Sequence, residues 1–222
     1  MLRIGLLLSG CGALDGSDPT QVVLWRLVAA REGHVLVPMA PDVEQHDVVG
    51  PQGVVGGPGR RARDEAMRLT GGVIESAAAI RPDEIDVLVV PGGMGAAKTL
   101  CDAAVTEPVS VLPEPGALAR GLTEAGGVVV AVDEAVVWAA YVFAEHAPLD
   151  LATDDRFPVE RDLRANGHRP VDTQTAPVVD TTHRVVSHWI PASLDVAGVL
   201  EHIGTLLDAA DRLLARDREQ HT

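Results

Sequence analysis

Three stretches of the chain, Leu2 to Ser9, Asp86 to Val90 and Val128 to Val132, are apolar at almost every position and lack the in-and-out alternation of a half-solvated strand. A strand written this way must be covered on both faces, which a mainly parallel sheet between two layers of helices provides. Turn residues and then a helical segment follow each run. Strand and helix thus alternate, and the sequence predicts a doubly wound α/β sandwich. With 222 residues against roughly 100–200 per domain, residues 1–222 read as a single domain.

After the first strand, Gly10, Gly12 and Gly16 turn the chain into Asp18-Pro19-Thr20-Gln21. Asp18 reads as a helix cap, Pro19 suits the first turn, and Gln21 completes a capping box. The helix runs from about Pro19 to Glu32, stops at Gly33 and yields to a second strand, His34 to Met39. Asp42 to Gly59 is dense in glycine and proline and reads as a long loop or a small excursion at the sheet edge, in a position to help form a pocket lid. Arg60 to Leu69, Ala96 to Ala104, Glu114 to Ala125 and Ala135 to Ala144 read as helices, and Asp83 to Ile85 as a short turn. Beyond His146, short strands near Leu149–Thr153, Ala176–Asp180 and Arg184–His188, with a helix about Val159–Ala165, read as a peripheral flap. From Leu194 to Arg216, Val196, Val199, Leu200, Ile203, Leu207, Ala210 and Leu214 recur at helical intervals, a helix packed on the sheet.

With 18 basic and 32 acidic side chains the net charge is −14, the wrong sign for neutralising phosphates. Nucleic acid and anionic membrane are therefore excluded as partners. No apolar stretch approaches the roughly 20 residues that span a bilayer. Leu8-Ser9-Gly10-Cys11 superficially resembles a lipoprotein cleavage site, but the apolar run before it is too short for a signal. Cys11 and Cys101 are the only 2 cysteines, too few for a disulfide framework or a zinc cage; a cytoplasmic location fits. His34, His46, His146, His168, His183, His188, His202 and His221 are scattered without metal-ligand spacing, so no metal is expected.

In a sheet of this kind ligands bind beyond the carboxyl ends of the strands, which directs attention to the turns after Ser9, Val90 and Val132. The first carries Asp15 and Asp18, the second a glycine-rich loop of free amides at Gly92 and Gly93, and the third an Asp133-Glu134 pair at a strand-to-helix elbow. Gly10, Gly12 and Gly16 also suggest a dinucleotide fingerprint with Asp42 on a ribose, but the capped helix starts too far downstream for a pyrophosphate to sit on it. A plain turn is the simpler reading. An elbow side chain points into the cleft near helix amides that favour an anion. Two carboxylates facing each other there, Asp18 and Asp133, share a proton; alternatively an ionised Asp133 attacks an electrophilic carbon. The backbone amides of Gly93 and Glu134 offer an oxyanion site. Asp133 and Asp18 are equally good as N-caps alone, and Glu134 as a pocket-lining or solvated residue. His146, for its nearness to the cleft, and Trp138, in the helix after the elbow, complete the pocket candidates. Arg60 and Arg61 suit either a substrate carboxylate or a solvated face.

Leu8-Ser9-Gly10-Cys11-Gly12, Asp15-Gly16-Ser17 and Pro91-Gly92-Gly93-x-Gly95-Ala96-Ala97-Lys98 resemble the motifs of the ThiJ/PfpI superfamily, of class I glutamine amidotransferase-like fold. The ElbB-like, glyoxalase-like branch is the nearest within it. Ala40-Pro41-Asp42, Glu124-Ala125-Gly126, Thr153-Asp154 and Val178-Val179-Asp180 agree. The resemblance implies a flavodoxin-like three-layer sandwich, a homodimer, and an active site with a cysteine at the elbow beside an acidic residue of the first turn. Here the elbow position is Asp133 and the acidic residue Asp18, where relatives generally carry glutamate. Cysteine-dependent glyoxalase or deglycase chemistry does not carry over. Cys11 belongs to the first-turn motif and Cys101 to a predicted helix.

The expectation is therefore a cofactor-free hydrolase, hydratase or lyase acting on a small electrophilic metabolite through Asp18 and Asp133. The alternative is a catalytically silent relative that binds a metabolite or partner.

Overall fold

In the computed structural model, which describes residues 1–50, 52–72, 74–154, 159–173 and 175–220, the apolar runs become neighbouring strands of one sheet. The strands are β1 (Arg3–Leu7), β2 (Val35–Ala40), β3 (Glu75–Ser76), β4 (Val87–Val90), β5 (Val128–Val132), β6 (Asp150–Thr153), β7 (Arg169–Asp172), β8 (Val178–Asp180) and β9 (Val185–His188). Seven of them lie in the order β3-β2-β1-β4-β5-β9-β8; all pairs are parallel except β8 with β9. Strands β6 and β7 form a separate parallel pair.

The helices are α1 (Pro19–Arg31), α2 (Ala62–Thr70), α3 (Pro113–Glu124), α4 (Ala135–Val142), α5 (Val159–Ala165) and α6 (Val196–Gln220). Alternate residues of β5 explain the layers. Val128, Val130 and Val132 face Trp25 of α1 and Ile203 and Leu207 of α6, whereas Val129 and Ala131 face Leu122 of α3 and Trp138 of α4. Both faces of the strand are fully buried, as its unalternating sequence requires. The architecture is the expected flavodoxin-like α/β sandwich.

Four local expectations are corrected. Ala96 to Ala104 is helical only over Ala96–Leu100, as a π-helical turn, and Cys101 lies beyond it in extended backbone bridged to Val111. The supposed peripheral flap is not peripheral, because β9 pairs with central β5 and is fully buried. Ser187 is tolerated there since its hydroxyl accepts the Ala152 amide at 2.9 Å. The loop from Asp42 to Gly59 has bridges at Glu44 with Arg61 and Val49 with Val55, and it packs on the first turn through Gln45 and Val49 instead of covering the cleft. Finally, Val196 is 61% exposed, so the first turn of α6 leaves the sheet. Pro51 and His221 lie outside the described residues.

Candidate functional site

The segments that follow β1, β5 and β9 enclose one hollow of about 370 Å³, lined by Asp18, Thr20, Gln21, Asp133 and Glu134 on one side and by residues between 189 and 199 on the other. Asp18 and Asp133 line this same cavity, and both are half-buried. The lid differs. It is the stretch after β9, including Trp189, Ile190 and Leu194, and not the 42–59 loop.

Asp133 sits between β5 and α4 at φ 50°, the left-handed region that costs most side chains but that Asp and Asn enter comparatively readily. Its amide donates to the His188 carbonyl at 2.9 Å, fixing the elbow to the end of β9. The carboxylate does not cap α4, where Glu134 occupies the N-cap position and its side chain makes no capping bond to the helix amides. Instead Oδ1 accepts the Ile190 amide at 2.7 Å and Oδ2 accepts Gln21 Nε2 at 2.5 Å.

Asp18 does cap α1, its Oδ1 accepting the amides of Thr20 at 2.7 Å and Gln21 at 3.1 Å. Gln21 does not complete a capping box. Its side chain reaches across the cleft, donating to Asp133 while its Oε1 accepts the Gly92 amide at 2.8 Å. One buried glutamine therefore ties the two carboxylates and the glycine loop together, Asp18 through its backbone and Asp133 through its amide group.

The glycine loop is not a nest of free amides. Gly92 donates to Gln21, Gly93 to Glu134 Oε2 at 2.8 Å, Met94 to the Ala13 carbonyl and Gly95 to that of Gly16. Donors already bonded within the chain cannot also hold a phosphate or an oxyanion, so neither a nucleotide nor the proposed Gly93 oxyanion contact finds its partner there. The glycines serve close approach. A Cβ on Gly93, whose φ is +116°, would stand 2.3 Å from the Gly16 carbonyl oxygen, and one on Gly92 2.7 Å from Asp133 Oδ2.

The remaining candidates lie away from the hollow. Asp15 is 2% exposed and anchors the long loop, its Oδ2 accepting the Val49 amide at 2.8 Å. Half-buried Cys11 has its thiol pKa raised by burial and by Glu65 and Asp15; burial pushes that of Cys101 up to about 12. Reactive thiols have lowered values, so neither resembles an activated nucleophile. Trp138 is fully buried in the core, and His146, beyond the C-terminal end of α4, packs edge-on against Phe143. Arg61 is held by Asp42, which removes that aspartate from any ribose, and Arg60 lies 3.7 Å from Glu65. Among the described residues no cluster of three or more His, Cys, Asp or Glu side chains is placed to hold a metal, and no helix is long and apolar enough to cross a membrane.

Gln21, Ile190 and the pairing of buried His188 with half-buried His202 were not singled out in the sequence as parts of a site. Only Gln21 left a local signal, and that signal fitted a cap equally well. The two histidines meet at 2.7 Å, Nε2 to Nδ1, across β9 and α6.

No family model matches the chain. Over 105 residues, 46% of the chain, it is 34% identical to the human glutamine amidotransferase-like class 1 domain-containing protein 3, mitochondrial. A similar match, 34% over 107 residues, is found to the rat ES1 protein homolog, mitochondrial. The matched segments span 39% and 40% of those relatives' lengths. Among solved structures, an isoprenoid biosynthesis protein with amidotransferase-like domain from Ehrlichia chaffeensis superposes with a TM-score of 0.86 at 24% identity, over 95% of this chain and 99% of that one. Schizosaccharomyces pombe DJ-1 gives 0.58 at 13% identity, over 97% and 98%. Homologues and structural neighbours alike are class I glutamine amidotransferase-like, DJ-1/ThiJ/PfpI-type proteins, and this chain has their fold.

Proposed function

We propose that the chain is a cofactor-independent enzyme of the hydrolase, hydratase or lyase type, acting on a small electrophilic metabolite in the hollow between Asp18 and Asp133. The observation that carries this reading is the strained elbow at Asp133, φ 50°, which aims a carboxylate into a cavity that Asp18 also lines. In this reading Asp133 stands where ThiJ/PfpI proteins of the ElbB-like, glyoxalase-like branch carry cysteine. Asp133 is the nucleophile or base, and Asp18 exchanges a proton with the substrate through the oxygen not engaged in capping. Glu134 borders the substrate. The protein works as a cytoplasmic homodimer.

The clean test is Asp18→Asn, because asparagine keeps the Oδ1 cap on Thr20 and Gln21 while removing the carboxylate. Turnover of small aldehydes, epoxides and lactones is measured beside thermal unfolding. Loss of turnover with an unchanged melting temperature supports the proposal; turnover equal to the parent's rules out Asp18 as the acid–base group. Asp133→Asn is the companion variant.

A second reading, a catalytically silent metabolite-binding protein, is favoured by one observation. The Gly93 amide, one of the two expected to stabilise an oxyanion, is engaged by Glu134, and its neighbour Gly92 by Gln21. Saturable binding without turnover of any electrophile would select it.

A further inference from the structure

A second hollow of about 350 Å³ adjoins the first and shares two of its walls, Glu134 and Trp189. Its chemistry is different. Met94, Ala97, Ala103, Ala104, Val137 and Val159 line it, and among the described residues its other charged groups, Arg161 and Asp162, lie 3.8 Å apart as an ion pair. Asp162 also accepts the Tyr141 hydroxyl at 3.1 Å, so these polar groups answer one another, and the rest of the described lining apart from Glu134 is apolar. The partition is held from both sides. Glu134 accepts the Gly93 amide, and the Trp189 indole, 2% exposed, donates its Nε1–H to the Ala152 carbonyl at 3.2 Å.

We infer that this second hollow is the compartment for the hydrocarbon arm of an amphipathic substrate whose polar, electrophilic head lies against Asp133. The inference rests on the proposed reading of the Asp18–Asp133 hollow as the reacting site. Small hydrophilic electrophiles use the first hollow alone; a molecule with an unbranched aliphatic or slim aromatic arm uses both, passing between Glu134 and Trp189. Ligand sites are generally built this way, with an apolar body and a few placed polar groups. Binding should then depend on arm length through the area removed from water.

The experiment uses the full chain labelled with ¹⁵N and a series of methyl ketones from butanone to octanone, titrated against the Trp189 indole N–H signal. Each added methylene is expected to tighten Kd about fourfold until the compartment is full. Ala103→Leu and Ala104→Leu, tested separately, should flatten the long end of the series and leave butanone unchanged. Ala104 is exposed, so its enlargement puts no load on the fold. Asp133→Asn should weaken every member by a similar factor. A flat series in the parent chain, a series that neither leucine alters, or no binding by any ketone overturns the inference. If the leucines flatten the series but Asp133→Asn changes nothing, the apolar compartment stands and the placement of the head at Asp133 falls.

Discussion

Gln21 is the residue on which the geometry of the hollow turns. Its side chain has one donor group on Asp133 and its acceptor on Gly92, and it is buried. Gln21→Leu removes both bonds and leaves a buried amide and a carboxylate oxygen without this partner. Chemical denaturation should show a loss of about 1–3 kcal/mol. Sequence alone read this glutamine as half of a capping box because the local spacing from Asp18 is that of a cap. What decides its rotamer is a carboxylate 112 positions away, which no local pattern records. The same limit explains why Asp18 and Asp133 were identifiable, one as a helix cap and one at a strand end, while the glutamine that joins them was not. At this scale the thiols also make a prediction. Both have raised pKa values, so at neutral pH iodoacetamide should label half-buried Cys11 slowly, and Cys101 only once the chain is unfolded, as peptide mass spectrometry would report.

Between elements, the contact most exposed to solution conditions joins β9 to α6. His188 is fully buried, and burial, with His202 beside it, brings its pKa down to about 4. The unfolded chain holds that proton near pH 6.5, so it binds more protons than the folded chain throughout the interval between the two values. The stability contribution is complete above pH 6.5 and disappears as the pH falls towards about 4. Urea titrations across this window should show a loss of up to about 3 kcal/mol from this group, and His188→Gln should flatten the profile there. The elements themselves were unevenly legible. The fully apolar β5 and the proline-led α1 follow from composition and capping. Strand β9 was legible as a strand but not as a central one, because Val185-Val186-Ser187-His188 carries two polar residues that find their partners inside in Ala152 and His202. A strand satisfied by distant partners reads from its own letters as surface.

On the scale of the molecule, alternation of strand and helix was enough to predict the sandwich, whereas the insertion of β9 beside β5 and the return of β8 antiparallel to it required pairings the sequence leaves open. The charge has its own consequence. At a formal −14 the folded chain repels itself, and salt screens exposed charges beyond about 10 Å at 0.1 M. Raising the ionic strength from very dilute buffer to that level should increase the melting temperature, measured by differential scanning fluorimetry.

The meeting of Gly93 with Gly16 leaves no room for even a methyl group, so the two turns beneath Asp18 and Glu134 stand locked together, and any give in the hollow falls to its other side. Pro191, Ala192, Leu194 and Val196 form one lip of the hollow, and Ala192 and Val196 are exposed. A bulky residue at Ala192 would then slow exchange of any occupant without touching either acid, placing control of residence time in a stretch of chain remote from the chemistry.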